Sequence, residues 1–523
     1  MRYRHHHNIR RYLGLFGIAF AFFFFLQYNH TLADPDSFYH AKMAMLIRDH
    51  GVITDFRWLG DFTVLGESYA NQHLLYHIFL IPFVTWWQPI VGLKLATVML
   101  AAGFITVFYW ALRSWNVRFA FAWSLLLLLM DPLVFRLSLA KAPSVSLIIL
   151  FVALVWISAG HWRKLLPLAV IYVWAYGGFA VLLLIAGLYV VVDVVADVYR
   201  RILFRYRSGV SWWTMLWKRA SLGSWAAILS GTAIGVVIHP FFPQNIDYYW
   251  LQLFEIGIRN YRSVIGVGSE WYPYAPLDLV SNAVFLAIAL VLALVIYVAK
   301  IRRFSRREVW LLLLAAVFLL LTLRSRRYVE YFVPFGAVFA FTVIGMYLRE
   351  VKLRRWWDAF LRLYWRRKLL MSVVVLYFLV TVPALAVRSL WQGRNDLANG
   401  IPFTRFKEAS QWLISHSRAG DIVFHSSWDE FPILFYYNDV NNYISGLDPT
   451  FMYLYDSELH RLHSEITLGK YSGNIHTVIS GDFHARYVLA SQDHTALKQR
   501  LRNTNGFVRV YEDTDAVIYE VVY

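Results

Sequence analysis

Four short stretches gather the residue types that do chemistry. Asp34-Pro35-Asp36-Ser37-Phe38-Tyr39-His40 sets two carboxylates and an imidazole within seven residues. Carboxylate oxygens suit hard divalent cations such as Mg2+ or Mn2+, and such a cation can neutralise a phosphate leaving group. The same residues also fit a helix start, with Asp36 as the cap of a helix running through Ile47. The second stretch, Ser263 to Pro273, holds Glu270 among glycines that permit close approach and mobility; the plain alternative is a solvated loop acid. The third, Arg324-Ser325-Arg326-Arg327, offers guanidinium groups that grip phosphate bidentately, or side chains that snorkel to an interface. Arg136 and Lys141 carry a similar reading. The fourth, Ser427-Trp428-Asp429-Glu430-Phe431, puts a tryptophan beside carboxylates. That pair can receive a hydroxyl or a sugar, or simply start a helix packed on a core.

These residues must be positioned by a chain that is far too apolar for water. Its 523 residues are 59% hydrophobic and only 16% charged, against about 25% charged in a soluble domain. Runs of the length needed to cross a bilayer occur at 13–29, 90–112, 119–135, 144–160, 179–198, 222–239, 277–299, 309–323, 328–348 and 369–390, with a shorter one at 165–176. The expected fold is therefore a polytopic α-helical membrane protein of about 11 spans, read from these runs. Residues 71–88 are also apolar but contain Gln72, His73, His77 and Pro82. The formal charge of +17 decides their place. With 71–88 re-entrant or interfacial, the basic bursts at 113–118, 163–164, 200–207, 300–307 and 349–368 all fall on one side, which the positive-inside bias makes cytoplasmic. A crossing at 71–88 would flip every later burst. Loops 30–89 and 240–276 then lie outside, as does everything after about residue 391. Basic residues placed this way answer to topology and anionic lipid, and no nucleic-acid partner is expected. His5, His6 and His7 read as a polar cytoplasmic tail. The absence of cysteine excludes disulfides, thiolate catalysis and cysteine-ligated zinc.

Two parts follow: a transmembrane part, 1–390, and an extracytoplasmic domain, 391–523. In the second part helix and strand signals alternate, with helices at 404–418, 428–437 and 493–503. Strands are expected at 421–424 and 486–490, and two more within 507–522. Ser426 or Ser427 is the expected cap of the helix at 428–437. The pattern predicts a small α/β domain.

In this order the four stretches resemble the catalytic subunit of the oligosaccharyltransferase family, within the GT-C class of membrane glycosyltransferases. Asp36-Ser37-Phe38-Tyr39-His40 is similar to that family's first-loop motif, which implies that Asp36 binds a metal and Asp34 completes an Asp-x-Asp. Val267-Gly268-Ser269-Glu270 is similar to the large outer-loop motif, which implies that Glu270 sits near metal and acceptor. Arg324 to Arg327 fall where the family has an arginine near the donor phosphates, and Ser427-Trp428-Asp429 looks like the motif that holds the acceptor. Two departures stand out. Arg136 to Ser144 has no acid where the family supplies a further metal ligand, and Lys141 stands there instead. The acceptor motif ends in Glu430-Phe431 rather than Tyr-Gly.

The resemblance implies a glycosyltransferase that moves a sugar or glycan from a polyprenyl-linked phosphate donor to a protein or glycan acceptor. The reaction would take place on the extracytoplasmic face of a multi-pass membrane protein, expected in a prokaryotic plasma membrane with a cytoplasmic N-terminus. Asp36, Glu270 and Asp34 would be catalytic, with Asp36, Glu270 and His40 holding Mg2+ or Mn2+. Arg324, Arg327, Arg136 and Lys141 would bind the donor phosphate, and Trp428 and Asp429 the acceptor. The alternatives are a transporter or flippase of lipid-linked glycans, which calls for ionisable groups near mid-span, and a non-catalytic scaffold.

Overall fold

The structure, a computed structural model, describes residues 2–204, 220–300 and 305–523. The expected cytoplasmic residues Arg205, Arg207, Arg302 and Arg303 lie outside the described residues. All eleven expected runs are helical. Among the described residues, six helices are long and apolar enough to cross a membrane by themselves. Two further pairs qualify only as bent units, Ala120–Leu129 with Asp131–Ser138 at 78° and Pro276–Asn282 with Val284–Ala299 at 98°. The segment at 71–88 forms a helix over Leu74–Trp86. Its 13 residues rise about 20 Å, short of a roughly 30 Å hydrocarbon layer.

Local chemistry sets where these helices begin. Pro89 and Pro143 stand at first helical turns, where a missing N–H costs nothing. Ser305 and Glu308 form a reciprocal capping box ahead of Arg306–Arg324. Helix Leu74–Trp86 presses on Pro89–Ser114 at Gly92, where a methyl group would run into the carbonyl of Phe83. The bundle core is dense in aromatics. Helix Val329–Glu350 is buried along most of its length, and Phe335 stacks on Phe318 with ring centroids 4.9 Å apart.

After the long helix Lys368–Ala398, the chain builds a five-stranded sheet. Its strands are β3 (Ile422–His425), β4 (Asn442–Tyr443), β5 (Tyr487–Ser491), β6 (Phe507–Glu512) and β7 (Ala516–Val521), in the order β4-β3-β5-β7-β6. β3 runs parallel to β4 and β5, while β7 is antiparallel to β5 and β6. Helices Lys407–His416, Phe431–Tyr437 and Thr495–Arg502 match the expected three within a few residues. The expected serine cap is reversed: the Glu430 carboxylate accepts the backbone N–H groups of Ser426 and Ser427, at 2.9 and 3.1 Å. That locks the turn carrying Trp428.

This unit is tied to the loop after the first helix. Strands β1 (Thr31–Leu32) and β2 (Ile401–Pro402) pair antiparallel, and Trp58 donates to the Asp439 carbonyl at 2.8 Å. Phe38 packs edge-on against Tyr436, and Lys42 pairs with Asp439 at 3.2 Å. The residues nearest Asp36 are therefore held from both sides.

Candidate functional site

A cavity of about 580 Å3 lies where the first loop, the bundle and the C-terminal sheet unit meet. Its wall includes Asp34, Asp36, His40, Arg136, Lys141, Glu270, Arg327, Trp428 and Asp429. Of the expected donor-phosphate residues, Arg324 stays outside, its guanidinium donating to the Ile258 carbonyl at 2.7 Å.

Asp36 is the first residue of helix Asp36–His50 rather than its cap. The cap position is Pro35, and Asp34 Oδ1 accepts the Asp36 N–H at 2.9 Å across it. Lys141, in the turn before helix Pro143–Ser158, places Nζ 2.8 Å from Asp34 Oδ2 and 2.8 Å from Asp36 Oδ2. The other Asp36 oxygen, Oδ1, is buried and has no hydrogen-bond partner. Burial pushes the Asp36 carboxyl up to about 6, against the pull of Lys141 and with a further push from Asp34. Burial also opposes the charge on Lys141, yet Asp34 and Asp36 hold its pKa above the usual lysine value.

Glu270 sits in a short turn, Ser269–Trp271, fixed to the next loop by Ser325 Oγ donating to its carbonyl at 2.9 Å. Its Oε1 accepts from Arg327 and its Oε2 from Arg136, both at 2.8 Å. Burial works to raise its pKa, but Arg327, Arg136 and Lys141 overcome that and hold it well below the carboxylate range. Arg136 Nε also donates to Glu330 Oε2 at 2.9 Å, and Glu330 is fully buried. Glu330 escaped the sequence reading; an acid three residues beyond an arginine cluster, inside an apolar run, was the available signal. Asp448, Tyr176 and Gln252 also line the cavity and were not anticipated.

His40 turns its Nδ1 to His77 Nε2 at 2.8 Å. Burial, then His77 and His73, lowers the pKa of His40, while burial with Arg327 and Lys141 brings His73 to about 3. These rings are neutral at ordinary pH.

The expected metal ligands Asp36, Glu270 and His40 share this wall without forming a ligand set. Glu270 has both oxygens on arginines, His40 faces another histidine, and an ammonium bridges the two aspartates. Among the described residues no three His, Asp or Glu groups are spaced to hold a metal ion. The donor set present does not fit a divalent cation, because Lys141 already supplies positive charge where one would act.

No protein-family model matches the chain, and no curated protein matches it in sequence. Solved structures do. The apo oligosaccharyltransferase of Archaeoglobus fulgidus superposes with a TM-score of 0.60 at 14% identity, over 98% of this chain and 74% of that one. ArnT from Cupriavidus metallidurans gives 0.53 at 14% identity, over 97% of each chain. The fold is that of the GT-C glycosyltransferases. The mycobacterial arabinofuranosyltransferase AftD shares it, with a TM-score of 0.55 at 11% identity over 98% of this chain and 40% of that one. The chain is an integral membrane protein. The Archaeoglobus enzyme has also been determined with an inhibitory peptide and a dolichol-phosphate, and with Zn and sulfate.

Proposed function

We propose that the protein is a membrane glycosyltransferase that moves a sugar or glycan from a polyprenyl-linked phosphate donor to an acceptor in the cavity beneath the C-terminal unit. The observation that carries this reading is the meeting of a base with an unpartnered oxygen, partly buried cations and a tryptophan in one cavity of about 580 Å3. The bundle up to about residue 390 forms the membrane part, and residues 391–523 form a domain on the extracytoplasmic face. The dolichol-phosphate held by the archaeal relative in fold supports a lipid-linked donor.

Asp36 Oδ1 takes the proton of the acceptor nucleophile, which requires hydrogen-bond reach in the bound state. The new bond forms at the anomeric carbon as its bond to the phosphate oxygen breaks, and the lipid phosphate leaves with the electron pair. Lys141 and Arg327 face the charge that builds on that phosphate, and such preorganised cations are worth most in a water-poor site. Glu270 holds Arg136 and Arg327 in place and is not free to act as a base. Trp428 and Asp429 form the acceptor side. An amide nitrogen is a poor nucleophile because its lone pair is shared with the carbonyl. The one unpartnered oxygen of Asp36 therefore suits a hydroxyl acceptor better than a carboxamide.

The test is transfer from a labelled polyprenyl-phosphate sugar by the purified protein, alongside Asp36→Ala and Glu270→Ala. Loss of transfer in Asp36→Ala and a large reduction in Glu270→Ala are expected. Undiminished transfer in both removes the site.

A further inference from the structure

The helix that begins beside the cavity ends at a second concavity. Arg327 precedes Val329–Glu350 and lines the first cavity, while Arg349, near the other end, lines the second. Twenty-two helical residues rise about 33 Å, roughly the thickness of a bilayer's hydrocarbon layer. The second concavity, about 510 Å3, thus stands at the opposite membrane face.

Its wall carries Arg11, Arg113, Arg118 and Arg349 and, among the described residues, no acidic residue. Two of the arginines build the cup. Arg118 donates to the carbonyls of Leu348 and Val351, and Arg349 to that of Asn116 at 3.3 Å. These contacts staple the turn after helix Pro89–Ser114 to the end of Val329–Glu350. Asn116 and Phe119 in that turn have φ of 55° and 61°, a left-handed backbone that non-glycine residues seldom adopt. The side chains of the other two, Arg11 and Arg113, make no hydrogen bond or ion pair among the described residues. Tyr109, Phe119 and Phe121 supply an apolar side to the same cup.

Charge bias alone would scatter arginines over a wetted surface, as at Arg362 and Arg366 on the exposed helix Leu353–Arg366, neither of which lines this cup. Here four guanidiniums converge on one hollow at the bilayer edge. Their planar forks match phosphate oxygens, and basic hollows between helices at this depth suit anionic headgroups. We infer that this cup is a binding site for the phosphate headgroup of an anionic phospholipid, with Arg11 and Arg113 as its free donors and the aromatic side against the first acyl carbons. A headgroup with two phosphates matches best, presenting one phosphate to each free guanidinium.

The test is native mass spectrometry of the full chain in neutral detergent, titrated with cardiolipin, with phosphatidylcholine and with inorganic phosphate. Cardiolipin adducts are expected to form preferentially and to weaken at least tenfold in Arg11→Gln/Arg113→Gln. Those two side chains hold no other part of the fold. The control pair Arg362→Gln/Arg366→Gln is expected to bind as the parent does. Equal retention of phosphatidylcholine, or equal loss in the control pair, overturns the site. Displacement of cardiolipin by inorganic phosphate at equal concentration overturns the lipid as its ligand.

Discussion

Replacing Lys141 with methionine keeps most of the side chain's length and removes its charge. Nζ stands 2.8 Å from one oxygen of each aspartate, so the change exposes two half-buried carboxylates to each other. Burial already holds Asp36 at about 6 with Lys141 opposing. An adjacent opposite charge moves a carboxyl by roughly 1–3 units, so its loss raises Asp36 to between about 7 and about 9. The reaction needs ionised Asp36, so the rate climbs as pH rises through its pKa. For a two-unit rise, the ionised fraction at pH 7 falls from about 90% to about 10%. That alone costs about tenfold in kcat/KM at pH 7, and the lost phosphate partner adds about 100-fold or more. The assay is a pH profile of kcat/KM from pH 5 to 9.5 for the parent and Lys141→Met. The acidic limb is expected near 6 in the parent and at least one unit higher in the variant. A limb that stays in place while the rate falls would refute the coupling of Lys141 to Asp36, leaving a purely structural role for the lysine.

Dialysis against EDTA is expected to leave the transfer rate within about twofold, because arginine and lysine partners already occupy the carboxylates; restoration of a lost rate by Mn2+ would contradict this. Glu330→Gln strips buried Arg136 of one carboxylate and should lower stability by about 3–5 kcal/mol, read as a drop in Tm in detergent. An unchanged melt would mean that Glu270 suffices as its partner. Trp428→Ala should raise the acceptor KM at least tenfold with kcat within a few-fold; the reverse split would place the tryptophan on the reacting bond.

The pieces of this site that were legible in the sequence are those whose signals are local. Asp34, Asp36 and His40 lie within seven residues, and Glu270 sits among glycines, so composition alone marks them. Lys141 reads from its charge as a phosphate partner and from the resemblance as a replacement for an acid; its contact with both aspartates is a fact of packing. The pairing of Arg136 with Glu330 joins positions 194 residues apart, and no periodicity carries it. Arg324 and Arg327 are chemically identical in sequence. They part company because the chain extends at Ser325, sending one toward Ile258 and the other into the cavity. In the C-terminal unit, strands of four or more residues were visible, whereas β4 is two residues long and gains its identity only by lying beside β3. Helices Pro449–Tyr455 and Ser457–Thr467 carry readable caps, Asp448 and Asp456, but the first is seven residues long, too short for a helical period to show.

The clasp between the first loop and the C-terminal unit bears on how the protein is made. Asp36 leaves the ribosome early, yet Trp428 and the rings that cover its helix arrive near the end of synthesis. Until Tyr436 reaches Phe38 and β2 reaches β1, the first loop keeps its aromatic face and both aspartates in water. A nascent chain therefore carries the acid pair without a closed chamber around it. Under the proposed reaction, the chamber closes only when the last quarter of the chain docks back onto the first loop. Translation halted before β2 leaves an inserted helical bundle whose aromatic loop is open to chaperones and proteases.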